Sequence, residues 1–245
     1  TLGRGSGRSD LRFSRWFWTS VAITMSTRIF LVRHGTTDLT AEDRFAGSTD
    51  VPLSEEGQHQ AQRLGERLAR EKLAAIYASP LSRTMHTASI IAQAHGLAVV
   101  GKPELREIDH GHWEGQRRSE VEQKYAAEYA SWEEDPFTFA PEGGESGLAV
   151  MARALPAVRS IVVRHEGEHV LLVSHKATIR LLLASLLGFD ARGYRDRLDQ
   201  SPACLNVLDF RDPVRARLMV FNDVSHYKDL PATPTAILSK WWDAR

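Results

Sequence analysis

Short apolar runs alternate with amphipathic stretches along most of this chain. The run Arg28-Ile29-Phe30-Leu31-Val32 is β-branched and aromatic and stops at Arg33-His34-Gly35, the pattern of a strand buried on both faces. A polar loop reaches Pro52. Ser54 then reads as the N-cap of a helix whose Ala61, Leu64 and Leu68 form one stripe, with Arg63, Glu66, Arg67 and Arg70 on the water side. A second apolar run, 74–78, ends at Ser79-Pro80, where a helix carrying Met85, Ala88, Ile91 and Ala92 begins and stops near Gly96. Residues 97–100 predict a third strand.

The alternation returns after residue 147. A helix is expected over 148–165 and a strand over 169–173, halting at Ser174-His175. The strongly apolar stretch 178–187 closes at Gly188, as a buried helix would. Strands 204–210 and 217–221 complete the pattern, and a loosely packed tail is expected beyond Asn222. Strands alternating with helices predict an α/β, three-layer sandwich with a mostly parallel sheet of about six strands and helices on both faces. Residues 108–147 break the periodicity. They contain Trp113, Tyr125, Tyr129, Trp132, Phe137 and Phe139, with helical character around 119–130. This segment reads as a small cap, its aromatic residues more a core for the cap than the lining of a cleft.

Composition narrows the setting. The 245 residues suit one main domain, taken as 25–225, with a tail over 226–245. In the first 24 residues Arg4, Arg8, Arg12 and Arg15 face one acid, Asp10. They read as sequence ahead of a start at Met25, in preference to a targeting peptide or a disordered arm. Lys plus Arg and Asp plus Glu number 31 each, so neither a nucleic acid nor a membrane surface is expected as partner. Any anion binding must be local. Cys204 is the only cysteine, which excludes an internal disulfide or a multi-cysteine zinc site, fits a cytoplasmic protein and reads as apolar filler. No apolar run is long enough to span a bilayer as a helix.

The candidate chemistry lies at the strand ends. His34 and His175 each sit just past the C-terminal end of a predicted strand, the edge where open α/β sheets bind ligands. Arg33 adjoins the first, and Arg83 lies in the first turn of the helix after another strand. Two imidazoles and two guanidiniums at one edge suit a phosphoryl group. A neutral imidazole can attack phosphorus, and a nearby carboxylic acid must then protonate the leaving oxygen. Glu107 is the candidate acid, ahead of Asp109, Glu114 and Glu145. His110 and His112 flank Gly111 without a third metal ligand at a recognisable spacing.

These residues sit in six ordered blocks: Arg33-His34-Gly35 with Thr37; residues 50–54 with Gly57 and Gln60-Ala61; residues 79–84 with Thr87-Ala88; Leu105-Arg106-Glu107 with Gly111 and Trp113-Glu114-Gly115; Gly143-Gly144-Glu145-Ser146; and Val173-Ser174-His175 with Ile179-Arg180. In this, residues 28–221 resemble the histidine phosphatase superfamily, the fold of cofactor-dependent phosphoglycerate mutases and many small-ester phosphatases. The resemblance implies that His34 is the nucleophile, that Arg33, Arg83 and His175 hold phosphoryl oxygens, and that Glu107 donates the proton. It implies no metal or organic cofactor. Gly35 and Thr40 are expected beside the phosphate, and Ala46, Gly47 and Lys176 beside the rest of the substrate. The family often has asparagine at Thr40, glutamine at Ala46 and glycine at Lys176. The stretch 116–141 lacks the long Arg- and Pro-rich insertion of the mutases, which favours a phosphatase acting on a small phosphorylated metabolite. An exposed sheet edge near the C-terminal strands leaves room for a homodimer.

Overall fold

The computed structural model describes residues 26–41 and 44–228; the expectations for residues 1–24 and for the tail past 228 lie outside these. Six strands form one sheet in the order β3-β2-β4-β1-β5-β6: β1 (Thr27–Arg33), β2 (Leu73–Ala78), β3 (Val99–Gly101), β4 (His169–Ser174), β5 (Leu205–Phe210) and β6 (Ala216–Asp223). The first four run parallel, and β5 and β6 add an antiparallel edge. The expected mostly parallel α/β sandwich is therefore present.

Each face of β1 buries a different set of side chains, which is why its sequence reads as one continuous apolar run. Phe30 and Val32 pack with Leu64, Leu68, Ala88 and Ile91 of α2 (Glu55–Leu68) and α3 (Ser82–Ala92). Ile29 and Leu31 pack on the opposite side with Ala154, Val158, Ile179 and Leu182 of α6 (Gly147–Arg164) and α7 (Lys176–Leu187). Ser54 caps α2, its hydroxyl accepting from the Gly57 N–H, and Gly188 ends α7 in the left-handed conformation.

Several boundaries move. The helix expected at Pro80 begins at Ser82, because its first turn is held from a distance: Asp50 accepts from both the N–H and the hydroxyl of Ser82 at 2.7 Å. The third strand is Val99–Gly101, shorter and later than 97–100. The helical character expected around 119–130 takes the form of two helices, α4 (Arg118–Lys124) and α5 (Ala126–Glu134), broken at Tyr125. Short helices α1 (Asp38–Ala41) and α8 (Tyr194–Arg197) went unpredicted. Residues 223–228 are not loosely packed: Val224 is buried and the Tyr227 hydroxyl donates to the Pro202 carbonyl. The cap carries its own core of Phe45, Trp113, Val121, Tyr129 and Trp132, with Trp113 fully buried.

Candidate active site

Strand order brings the two histidines together. β1 and β4 are neighbours with Arg33 opposite Ser174, so the next residues, His34 and His175, leave the sheet side by side. Their ring centroids lie 5.2 Å apart, edge to face. The His34 N–H is still bonded to the Ser174 carbonyl.

The two rings have opposite tautomers. His34 Nδ1 lies 2.7 Å from the Gly35 carbonyl, which only accepts, so Nδ1 carries the proton and Nε2 keeps its lone pair. His175 Nδ1 faces the Arg83 Nε–H at 3.3 Å, which only donates. Nδ1 is thus the acceptor, and Nε2–H donates to the Ser79 hydroxyl at 2.8 Å. Burial, then the adjacent guanidiniums Arg33 and Arg83, push the His34 pKa well below 6.5; burial, His34 and Arg83 do the same for His175. Both imidazoles are neutral near pH 7.

A cavity of about 220 Å³ opens over this edge, lined among others by Arg33, His34, Ala46, Arg83, Glu107 and Lys176. Arg33 donates through Nη1 to the Gln200 carbonyl at 2.7 Å, while its buried Nε has no partner among the described residues. An unpartnered buried guanidinium donor is costly without an acceptor and marks a place for an anion. Arg83 is held by carbonyls, Nη1 on Thr49 and Nη2 on Gly47. Glu107 sits against the first turn of α7, accepting from the N–H groups of Ala177 and Thr178 and from the Thr178 hydroxyl. That helix start favours a negative group by its dipole and free N–H groups.

The expected site residues divide. His34, Arg33, Arg83, Glu107, Ala46 and Lys176 line the cavity; His175 stands behind His34, and Gly35 and Gly47 lie outside the lining. Gly35 is a packing residue: a Cβ there would stand 2.3 Å from the Gly57 carbonyl oxygen, and one on Gly57 would stand 2.1 Å from that of Thr36. The two glycines let α2 close on the loop after His34, where Ser54 and Gln60 bond Thr36. A Cβ on Gly47 would collide with the Ile108 carbonyl. Thr40 falls in α1, and its side chain lies outside the described residues.

The other carboxylates are committed elsewhere. Glu114 accepts from the N–H groups of Gly47, Ser48 and His110 and from the Thr49 hydroxyl. Burial would push its pKa up, but the bonds from Thr49 and His110 outweigh that and hold it low. Glu145 pairs with Arg153 at 2.8 Å, and Asp109 accepts from the Gly111 N–H. His112 pairs with Glu128 at 3.2 Å. Among the described residues no cluster of three or more His, Cys, Asp or Glu suits a metal ion. Cys204 is buried, and burial lifts its thiol to about 12.

The sequence reading missed the rim. Arg44, Arg118 and Arg195 line the cavity with Phe45 and Trp132. Arg195 stacks 4.2 Å from the Trp132 ring and pairs with Glu133 at 3.2 Å. It also missed the anchors of Arg33: Asn206 bonds the buried Gln200 side chain and donates to the Leu31 carbonyl. No local periodicity marks such residues.

A buried pocket of guanidiniums around a neutral imidazole, at the crevice of an α/β sheet, has the chemistry to suit a phosphoryl group. The chain belongs to the histidine phosphatase superfamily (branch 1), whose family model matches residues 29–224. It is 39% identical over 163 residues to phosphoserine phosphatase 1 of Hydrogenobacter thermophilus, covering 66% of this chain and 77% of that one. A probable phosphoglycerate mutase, GpmB of Klebsiella pneumoniae, is 34% identical over 84% of this chain and 96% of its own. Among solved structures, a mycobacterial glucosyl-3-phosphoglycerate phosphatase superposes with a TM-score of 0.74 at 31% identity, covering 80% of this chain and 99% of that one.

Proposed function

We propose that the protein is a metal-independent phosphatase that hydrolyses small phosphomonoesters through a phosphohistidine at His34. The observation that carries this reading is the His34 tautomer: the Gly35 carbonyl holds the proton on Nδ1, so the free lone pair is on Nε2 of a ring that lines the cavity. Nε2 attacks phosphorus and forms the P–N bond as the P–O bond to the alcohol breaks. Arg33 and Arg83 take the charge on the phosphoryl oxygens. Glu107 gives its proton to the departing oxygen; in the second step it accepts one from the water that attacks phosphorus, and inorganic phosphate leaves as His34 is restored. His175 positions the His34 ring and Arg83.

The names of the relatives support two outcomes for the phosphoryl group, transfer to water or return to a substrate. The short segment 116–141, without a long insertion to exclude water, supports hydrolysis. The single cysteine and the balanced charge support a cytoplasmic enzyme. Among the described residues no helix is long and apolar enough to cross a membrane. Incubation with p-nitrophenyl phosphate and with 3-phosphoglycerate, without added metal, tests the reading. It requires phosphate release from an ester that is lost in His34→Ala; phosphoryl migration without phosphate release would overturn it.

A further inference from the structure

Lys176 follows His175 directly, and the first turn of the helix it opens holds Glu107 through the N–H groups of Ala177 and Thr178. Lys176 and Arg180 are four residues apart and so share one face of α7. Both line the cavity. They therefore stand on the helix whose first turn holds Glu107, the group that meets the leaving oxygen.

Lys176 is not a solvated surface charge. Its side chain is 27% exposed and its Nζ lies 3.4 Å from Asp199 Oδ1, the same oxygen that accepts from Arg180 at 3.1 Å. One carboxylate thus serves two cations and leaves a positive excess. Arg180 is 4% exposed, and its buried Nε has no partner among the described residues. Burial, then Arg180 and Arg33, outweigh Asp199 and lower the Lys176 pKa to about 7, as expected where cations crowd together without enough anions.

We propose that Lys176 and Arg180 form a second anion site, so that the ester turned over best bears a carboxylate on its alcohol portion, close to the ester oxygen. The bound carboxylate supplies the missing charge and an acceptor for the unused Arg180 donor. This inference rests on the phosphatase reading and sharpens it to a class of substrate.

Two matched pairs test it: 3-phosphoglycerate against glycerol 3-phosphate, and O-phosphoserine against phosphoethanolamine, where only the carboxylate is lost. The expected kcat/KM ratio within each pair is about 10- to 100-fold in favour of the carboxylate, the factor for a hydrogen bond to a charged group. Lys176→Met should collapse the ratio toward one, and Lys176→Arg should retain it. Equal kcat/KM within both pairs in the unaltered enzyme, or a Lys176→Met ratio equal to that of the unaltered enzyme, would overturn the second site while leaving hydrolysis standing. No phosphate release from any ester, p-nitrophenyl phosphate included, would overturn the phosphatase reading itself and this inference with it.

Discussion

Arg33, His34 and His175 stand at the ends of β1 and β4, whereas Arg44, Phe45, Arg118 and Trp132 reach the same cavity from a loop and from the two short helices of the cap. The floor is positioned by strand register, by the two-faced core beneath it and by buried bonds such as Arg33 to the Gln200 carbonyl. The rim is positioned by a separate aromatic cluster, tied to the Arg44–Thr49 loop mainly through Glu114 and the bonds between Phe45 and residues 115 and 116. Groups that must meet a transition state within fractions of an ångström sit on the rigid element, and the cap brings its charges from the part that can vary.

Substitutions on the two sides should therefore fail in different ways. His34→Ala removes the nucleophile and should lower kcat by at least about four orders of magnitude, with the far-ultraviolet spectrum unchanged. Glu107→Gln should cost about 10²- to 10⁴-fold for an alkyl ester. In kcat/KM, which reports the first step alone, it should cost much less for p-nitrophenyl phosphate, whose leaving group needs no proton; an equal loss of kcat/KM for both would remove Glu107 as the acid. Trp113→Ala should destabilise by about 3–5 kcal/mol, read by thermal or denaturant melting, because Trp113 is the fully buried centre of the cap.

The pH dependence separates the regions again. His34 and His175 have folded-state pKa values below their unfolded values, so the unfolded chain binds more protons below about pH 6.5. Their contribution to stability is complete above that pH and declines as the pH falls, by up to about 1.4 kcal/mol per pH unit for each ring. His34→Gln should flatten this slope in urea titrations, and Arg44→Ala should leave it as it is. The smallest effect expected is on KM: Arg44→Ala should raise it about three- to tenfold with little change in kcat, because a rim charge assists binding without meeting the reacting phosphorus.

The same division explains what the sequence could reveal. β1, β4 and α7 announce themselves by apolar runs and caps, and the residue just past a parallel strand is a functional position by topology alone, so His34 and His175 were legible. So was Ser54, a cap read three residues ahead of its Gly57 partner. Gln200 was not, because its link to Arg33 spans 167 positions and leaves no period in the chain. Gly35 is expected beside the phosphate, and the close approach of α2 that also requires a glycine there leaves no local signal. Nothing in the sequence sets Arg118 and Arg195 apart from other charges, and only the fold brings them to Trp132.

The central claim is covalent chemistry at His34, and direct trapping tests it most sharply. The enzyme is mixed with a phosphomonoester, quenched within milliseconds into alkaline denaturant, where a P–N bond survives, and digested for mass spectrometry. The account predicts one phosphoryl group on the peptide holding Arg33-His34-Gly35, absent from His34→Ala and discharged by water before the next turnover. Steady turnover with His34 unlabelled at every quench time, or with the label on another residue, would contradict it.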